Sequence, residues 1–357
     1  MSKYHGAARG AAARVPCRRR IAVARSRAVY LLAALGLLAG AAAKAGEPSV
    51  LARYPGRLVD IGTHALHLDC RGTGTPVIVL ESGIGGFSLE WHAVRHALAG
   101  RARVCTYDRA GYGWSDPGPL PRTARRSAGE LEALLSAAGE RPPYVLAGHS
   151  YGGLIVREFA ARWPDRTAGI ALIDAAAPQQ FARLPAGALP RAYLAALAGG
   201  GRVFSMPRPA AGFAPSLRTL VMQLMMLPKA RLAYRAEMRD FERSARALTG
   251  PGRRALEAPL VVISRARSEF DERTGGAHAE QVWREMQADM GRLSAHAEHW
   301  IAAGAGHQVH ADRPDLVARA LRELGATAHR AVHPAGTVTA RPELARLVLA
   351  APAWSVR

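Results

Sequence analysis

Cysteine is scarce, with Cys17, Cys70 and Cys105 the only three in 357 residues. That excludes a small scaffold stapled by disulfides and any zinc site built on paired cysteines, since no Cys/His cluster has ligand spacing. No His-Glu-x-x-His run and no cofactor fingerprint occur, so no metal or cofactor is expected. Lysine is confined to Lys3, Lys44 and Lys229, and the formal net charge of +20 is therefore an arginine charge in an alanine-rich chain. Nine basic and no acidic residues fall within 1–45, leaving 39 basic against 28 acidic, or +11, for the remainder. Without a zinc-finger, RNP-like or basic-zipper pattern, that excess reads as compositional bias, and no nucleic-acid partner is expected. Nor does any apolar run reach the ~20 residues that cross a bilayer. At 49% apolar and 21% charged residues, the chain has the composition of a folded protein with a sizeable core.

The N-terminal 45 residues read as a targeting segment. Arg14, Arg18, Arg19, Arg20, Arg25 and Arg27 precede the apolar run Ala28 to Ala43, and Ala43-Lys44-Ala45 offers a small-residue cleavage site before Gly46. The expectation is export, periplasmic or extracellular, with the segment cleaved or kept as a membrane anchor through residues 28–43.

Beyond it, strands and helices alternate. Arg57 to Ile61 and Ala65 to Cys70 flank a Gly62-Thr63 turn as a hairpin. Strands follow at Val77 to Leu80, Arg103 to Tyr107, Tyr144 to Ala147, Gly169 to Ile173, Pro259 to Ser264 and Glu298 to Ala302, with helices between several of them. Alternation of this kind builds a mostly parallel sheet covered by helices on both faces, with the hairpin as an antiparallel edge. Residues 175–257 interrupt it with helical patterns and no clear strand, too long for a loop, and read as a helical lid. Within the lid, Val221 to Leu227 is methionine-rich and reads as a buried helix face, and Arg231 to Arg246 as a solvated one. The division is 1–45 signal or anchor, 46–174 and 258–326 core, 175–257 lid and 327–357 C-terminal extension.

The chemistry centres on Gly148-His149-Ser150-Tyr151-Gly152, a Gly-x-Ser-x-Gly between a buried strand and a helix. That is the layout of a nucleophile elbow, in which glycines let strand and helix approach and the turn lifts the serine hydroxyl clear of the sheet. Serine needs an adjacent base, and a histidine titrates near the working pH. His307 follows the last strand through Gly304-Ala305-Gly306 and is the candidate; His149 reads as structural and His310 as a loop residue.

Four stretches together resemble the α/β-hydrolase superfamily, particularly its esterase, prolyl-aminopeptidase and C–C hydrolase-like group. They are Val79 to Gly86, Tyr107 to Ser115, Gly148 to Gly153, and Gly304 to Pro314 with its Gly-x-Gly-His and Asp-x-Pro-Asp. The resemblance implies an eight-stranded, mostly parallel sheet and a triad in the order serine, acid, histidine. It implies backbone N–H groups of Ile84 and Tyr151 as the oxyanion hole, although Ser82 stands where relatives often carry histidine. Asp108 to Gly113 would brace that wall. For the acid, most relatives use a position where this chain has Ser268, leaving Glu269 and Asp271 as displaced candidates. The placement resembling haloalkane dehalogenases falls on Asp174, and the reading favours Asp174. The family's strand order would set Cys70 beside Cys105, as a disulfide or as two buried thiols.

The expected function is serine hydrolysis of a carboxylic ester through an acyl-enzyme on Ser150. Amide, proline-peptide or C–C hydrolysis would use the same parts, and a non-catalytic binding protein of the same fold is the rival. Because epoxide hydrolases and haloalkane dehalogenases of the family attack with aspartate, Ser150 argues against both. The partner is a small ester or amide substrate.

Overall fold

The computed structural model describes residues 56–185, 188, 215–249, 255–270 and 276–332. The targeting segment, Asp271 and residues 333–357 lie outside the described residues, as does much of the lid. The described elements, all within the unit Pro55–Arg357, are in chain order β1 (Arg57–Asp60), β2 (Ala65–Arg71), β3 (Val77–Glu81), α1 (His92–Leu98), β4 (Val104–Tyr107), α2 (Ala124–Ala137), β5 (Tyr144–His149) and α3 (Gly152–Arg162). They continue as β6 (Thr167–Ile173), α4 (Pro215–Met226), α5 (Pro228–Arg246), β7 (Leu260–Arg265), α6 (Gly276–Met290), β8 (Ala297–Ala302) and α7 (Pro314–Val332). Short helical turns occupy Ser88–Trp91, Gln180–Arg183 and Val309–Asp312.

The eight strands form one sheet in the order β1-β2-β4-β3-β5-β6-β7-β8. The pairs β1/β2 and β2/β4 are antiparallel, and every other pair is parallel. This is the mostly parallel, helix-covered sheet that the alternation predicts. Strands β3 and β5 are buried along their whole length, as a sheet covered on both faces requires. Side-chain alternation divides them between two cores. Val77, Val79, Tyr144 and Leu146 pack with Leu131 and Leu135 of α2 and Leu154, Ile155 and Phe159 of α3. Ile78, Leu80, Val145 and Ala147 pack on the other side with Val94 and Leu98 of α1 and Val317, Leu321 and Leu324 of α7. Helix α2 starts where the sequence provides a cap, the Thr123 hydroxyl accepting from Arg126 N–H at 3.3 Å.

One local difference has a physical reason. Helix α7 runs past residue 326, the expected end of the core, to Val332, because Ala328 continues its buried face one turn beyond Leu324 and a single internal Gly325 weakens a helix without ending it. In the sheet, the β2/β4 register sets Cys70 directly opposite Cys105, and the two are joined in a disulfide that closes a sequence separation of 35 residues.

Candidate active site

The elbow strand delivers Ser150 at φ +50°, and β6 delivers Asp174 at φ +39°. For residues with a Cβ this left-handed region costs about 1–2 kcal/mol each, so surrounding bonds must hold it. They do: Ser150 N–H donates to Ile173 O at 3.1 Å, while Ser150 O accepts from the N–H groups of Gly153 at 3.0 Å and Ala176 at 2.9 Å. Asp174 N–H donates to Ile263 O at 2.7 Å. The flanking glycines are sterically required. A Cβ on Gly148 would lie 2.5 Å from Gly152 O, and one on Gly152 would lie 2.6 Å from Glu81 O. Tyr151 is the N-cap of α3, which puts the positive end of the helix dipole next to the serine.

The structure brings His307 and Asp174 together. His307 Nδ1 lies 2.6 Å from Asp174 Oδ2. A carboxylate only accepts, so Nδ1 donates and Nε2 is left as the basic nitrogen. Asp174 is 0% exposed. Its Oδ2 also accepts from Arg265 Nη1 at 2.9 Å, and its Oδ1 accepts from Trp283 Nε1 at 2.9 Å and, at 3.3 Å, from Arg265 N–H. Burial alone pushes this carboxyl up, but His307, Arg265 and the Trp283 indole outweigh burial and hold it below the usual aspartate range. Arg265 is itself buried and balanced on its far side by Glu280 at 2.8 Å. Glu269 meets a different atom. Its Oε1 accepts from the backbone N–H of His307 at 3.2 Å, and its side chain is 43% exposed. Of the three candidate acids, Asp174 touches the imidazole, Glu269 the main chain, and Asp271 lies outside the described residues.

The loop carrying Ile84 packs against the elbow, since a Cβ on Gly83 would come 3.3 Å from Ser150 Cβ. Arg109 holds that loop. Its Nη1 donates to Ser82 O at 2.8 Å and to Glu81 Oε1 at 2.7 Å, and its Nη2 donates to Gly83 O at 2.8 Å. It also pairs with Glu237 of α5, with Nε to Oε1 at 2.7 Å and Nη2 to Oε2 at 2.9 Å. Burial opposes the guanidinium charge, but the Glu237 and Glu81 carboxylates outweigh it and hold Arg109 well above its usual range. The expectation of a solvated 231–246 face is thereby corrected. Glu237 and Asp240 are buried, with Asp240 accepting from Arg122 N–H at 2.8 Å. Their spacing with Ala230, Ala233 and Ser244 marks one helix face turned to the core, a signal present in the sequence. On α4, Leu224 and Met225 are buried as expected, and with Gly85, Phe87, Tyr112, Gly113 and Ala230 they line a narrow cavity beside the Ile84 loop.

Sequence reasoning also missed Arg265, Trp283 and Glu90. Glu90 Oε1 accepts from Gly83 N–H at 3.2 Å, and burial raises its carboxyl to about 7. His310 belongs to a helical turn rather than a loop, and it is buried with its ring 4.4 Å from that of His149 and 4.6 Å from Trp91. Burial drives both imidazoles down, His310 to about 3 and His149 well below its usual value.

Because the folded-state pKa of Asp174 is depressed, its stabilising contribution is present above the unfolded aspartate value near 4 and is lost as pH falls through the lower folded value. Denaturant titrations should therefore show a stability gap between wild type and Asp174→Asn that is constant from pH 8 to about 5 and shrinks below about 4. A gap that shrinks already between pH 7 and 6 would contradict this account.

Comparison with known proteins agrees with the architecture. A family model described as "Alpha/beta hydrolase family" matches residues 77–320, more than half of the chain. The chain is 40% identical over 137 residues to the probable transporter efuK of Hormonema carpetanum, which is 36% of this chain and 20% of that protein. It is 26% identical over 255 residues to the uncharacterized protein YqjL of Bacillus subtilis, 71% of this chain and 85% of that one. A thermophilic esterase from Thermogutta terrifontis superposes with a TM-score of 0.57 at 22% identity, covering 77% of this chain and 100% of the esterase. Such a likeness establishes fold, and the family match fixes kinship: the chain belongs to the alpha/beta hydrolase family.

Proposed function

We propose that the protein is a serine hydrolase of small carboxylic esters. The observation that carries this reading is the buried, ionised Asp174 bonded to His307 Nδ1 at 2.6 Å, beside a serine held on a strained elbow. In the proposed reaction His307 Nε2 takes the Ser150 proton as Oγ attacks the ester carbonyl. The tetrahedral oxyanion is held by the N–H groups of Tyr151 and Ile84 at the positive end of α3. Collapse passes the proton from His307 to the leaving alcohol and leaves an acyl group on Ser150. Water, deprotonated by the same imidazole, then attacks the acyl-enzyme and releases the acid.

A series of p-nitrophenyl esters from acetate to decanoate tests this directly. Turnover of at least one ester in the series should be measurable, and it should be absent in Ser150→Ala. Asp174→Asn should lower kcat by roughly 10³–10⁴-fold, whereas Glu269→Gln should stay within about threefold of wild type. Full activity in Asp174→Asn with loss in Glu269→Gln would sink the assignment of the acid.

We further propose that the protein works outside the cytoplasm, cleaved after Ala45 or anchored through residues 28–43. What supports this is the basic-then-apolar N-terminal pattern together with the Cys70–Cys105 disulfide, since such bonds persist in oxidising compartments. Protein recovered from the producing cell's envelope or medium should yield Cys70 and Cys105 that alkylate only after reduction. Recovery in the cytoplasmic fraction with both thiols alkylatable would overturn the proposal.

A further inference from the structure

Behind the Ile84 loop, three side chains turn nitrogen and oxygen atoms toward one another. Glu90, His149 and His310 each offer one ligand atom, and these atoms all lie within 4.8 Å of one another. None of the three is required as nucleophile, base, acid or oxyanion donor. The tautomer of His149 follows from its partner. Its Nε2 lies 2.9 Å from His307 O, which can only accept, so Nε2 carries the hydrogen and Nδ1 a lone pair. That lone pair has no hydrogen-bond donor, and the facing group is Glu90 Oε1 at 4.0 Å, itself an acceptor when ionised. His310 Nδ1 is likewise buried without a hydrogen-bond partner. Both histidine side chains are more than nine-tenths buried, while that of Glu90 is 19% exposed and leaves a path inward.

Two acceptors facing each other need a proton, a water or a cation between them. We propose that Glu90, His149 and His310 form a binding site for a zinc-class divalent cation. One carboxylate and two neutral imidazoles are the donor set of borderline metals such as Zn²⁺, with solvent as a fourth ligand entering along Glu90. A tetrahedral ion with bonds of about 2.0–2.1 Å needs donor atoms roughly 3.4 Å apart. Closing the Glu90–His149 pair from 4.0 Å asks for a shift of about half an ångström, and closing the remaining pairs, which lie within 4.8 Å, asks for at most about an ångström and a half, shared between the partly exposed Glu90 side chain and the two rings. A second group with metal-like spacing among the described residues, Cys70, Cys105 and Glu140, has its sulfurs tied in the disulfide and offers no thiolate.

Occupancy would have a consequence for the neighbouring site, and this step alone rests on the proposed ester chemistry. Glu90 Oε1 accepts from Gly83 N–H, one residue from Ile84. Drawing that carboxylate onto a cation releases the loop, so the ion acts as a reversible inhibitor rather than as a participant.

The test is binding to the folded full-length protein after dialysis against a chelator. Isothermal titration with ZnCl₂ should give one ion per chain, and Co²⁺ should give the visible absorption of a four- or five-coordinate site. Glu90→Gln and His310→Gln should each weaken Zn²⁺ binding by at least about tenfold, with His307→Gln retaining it at full stoichiometry. Thermal melts verify folding of each variant, and if His310→Gln does not fold, the partly exposed Glu90 position decides the matter. Absence of stoichiometric binding, or binding lost with His307→Gln and kept in Glu90→Gln, would overturn the proposal, the latter by placing the ion on the base itself. Because the readout is binding, failure of the ester assays leaves this result interpretable, and the reverse also holds.

Discussion

A carboxylate with no exposed surface must be offset by hydrogen bonds and opposite charge, or it protonates. Asp174 meets that constraint with four contacts from three segments, and the arrangement of the whole sheet end follows from it. In the parallel register His149 lies beside Ile173, and Ile173 beside Ile263. The next residues along β5 and β6 are therefore Ser150 and Asp174, at the carboxyl ends of neighbouring strands, with Arg265 closing β7 beside them. Helix α6 adds Trp283 from above and Glu280 to balance Arg265. Sheet topology, more than any loop, sets the spacing of these groups.

A second charged centre binds the lid to the core. Arg109 gathers Glu81, two carbonyls of the Ser82–Gly83 turn and the Glu237 carboxylate of α5, while Tyr112 OH donates to Glu237 at 2.8 Å. Removing one partner of a buried pair strands a charge and typically costs about 3–5 kcal/mol. Helix α5 is thus joined to the loop bearing Ile84 through Arg109, and neither charge can be removed without stranding the other. The side chain of Tyr151 reaches the same helix, its OH lying 3.2 Å from Ser244 Oγ and its ring edge-on to Phe241. Both backbone groups assigned to the oxyanion are consequently braced by residues of α5.

Much of this was legible in the sequence where one local pattern carries the information. The Gly148 to Gly152 motif needs its glycines for contacts only a few residues away, and β3 and β5 announce themselves as apolar runs buried on both faces. His307 was found by its place after the last strand. Asp174 was distinguishable because a charge that closes an apolar strand needs a partner, although which partner depends on β7 and α6, about 90 to 109 residues away. Partners at such distance leave little local trace. Glu237 and Asp240 read as surface charges because nothing near them in sequence is cationic and buried, and Arg109 comes 128 residues earlier. Glu90 leaves no signal and His310 reads as a loop residue for the same reason, as neither meets the other until the Ser88–Trp91 and Val309–Asp312 turns pack together.

The central claim is that Ser150 is a nucleophile activated through His307 by Asp174. Intact-mass and peptide analysis of the folded protein after exposure to a fluorophosphonate tests it most directly, because the probe needs an activated serine and no particular substrate. A single adduct on the peptide containing Ser150 is expected, formed at least about 10³-fold more slowly in Asp174→Asn and at a wild-type rate in Glu269→Gln. Failure to modify Ser150, or labelling that persists in Ser150→Ala, would contradict it.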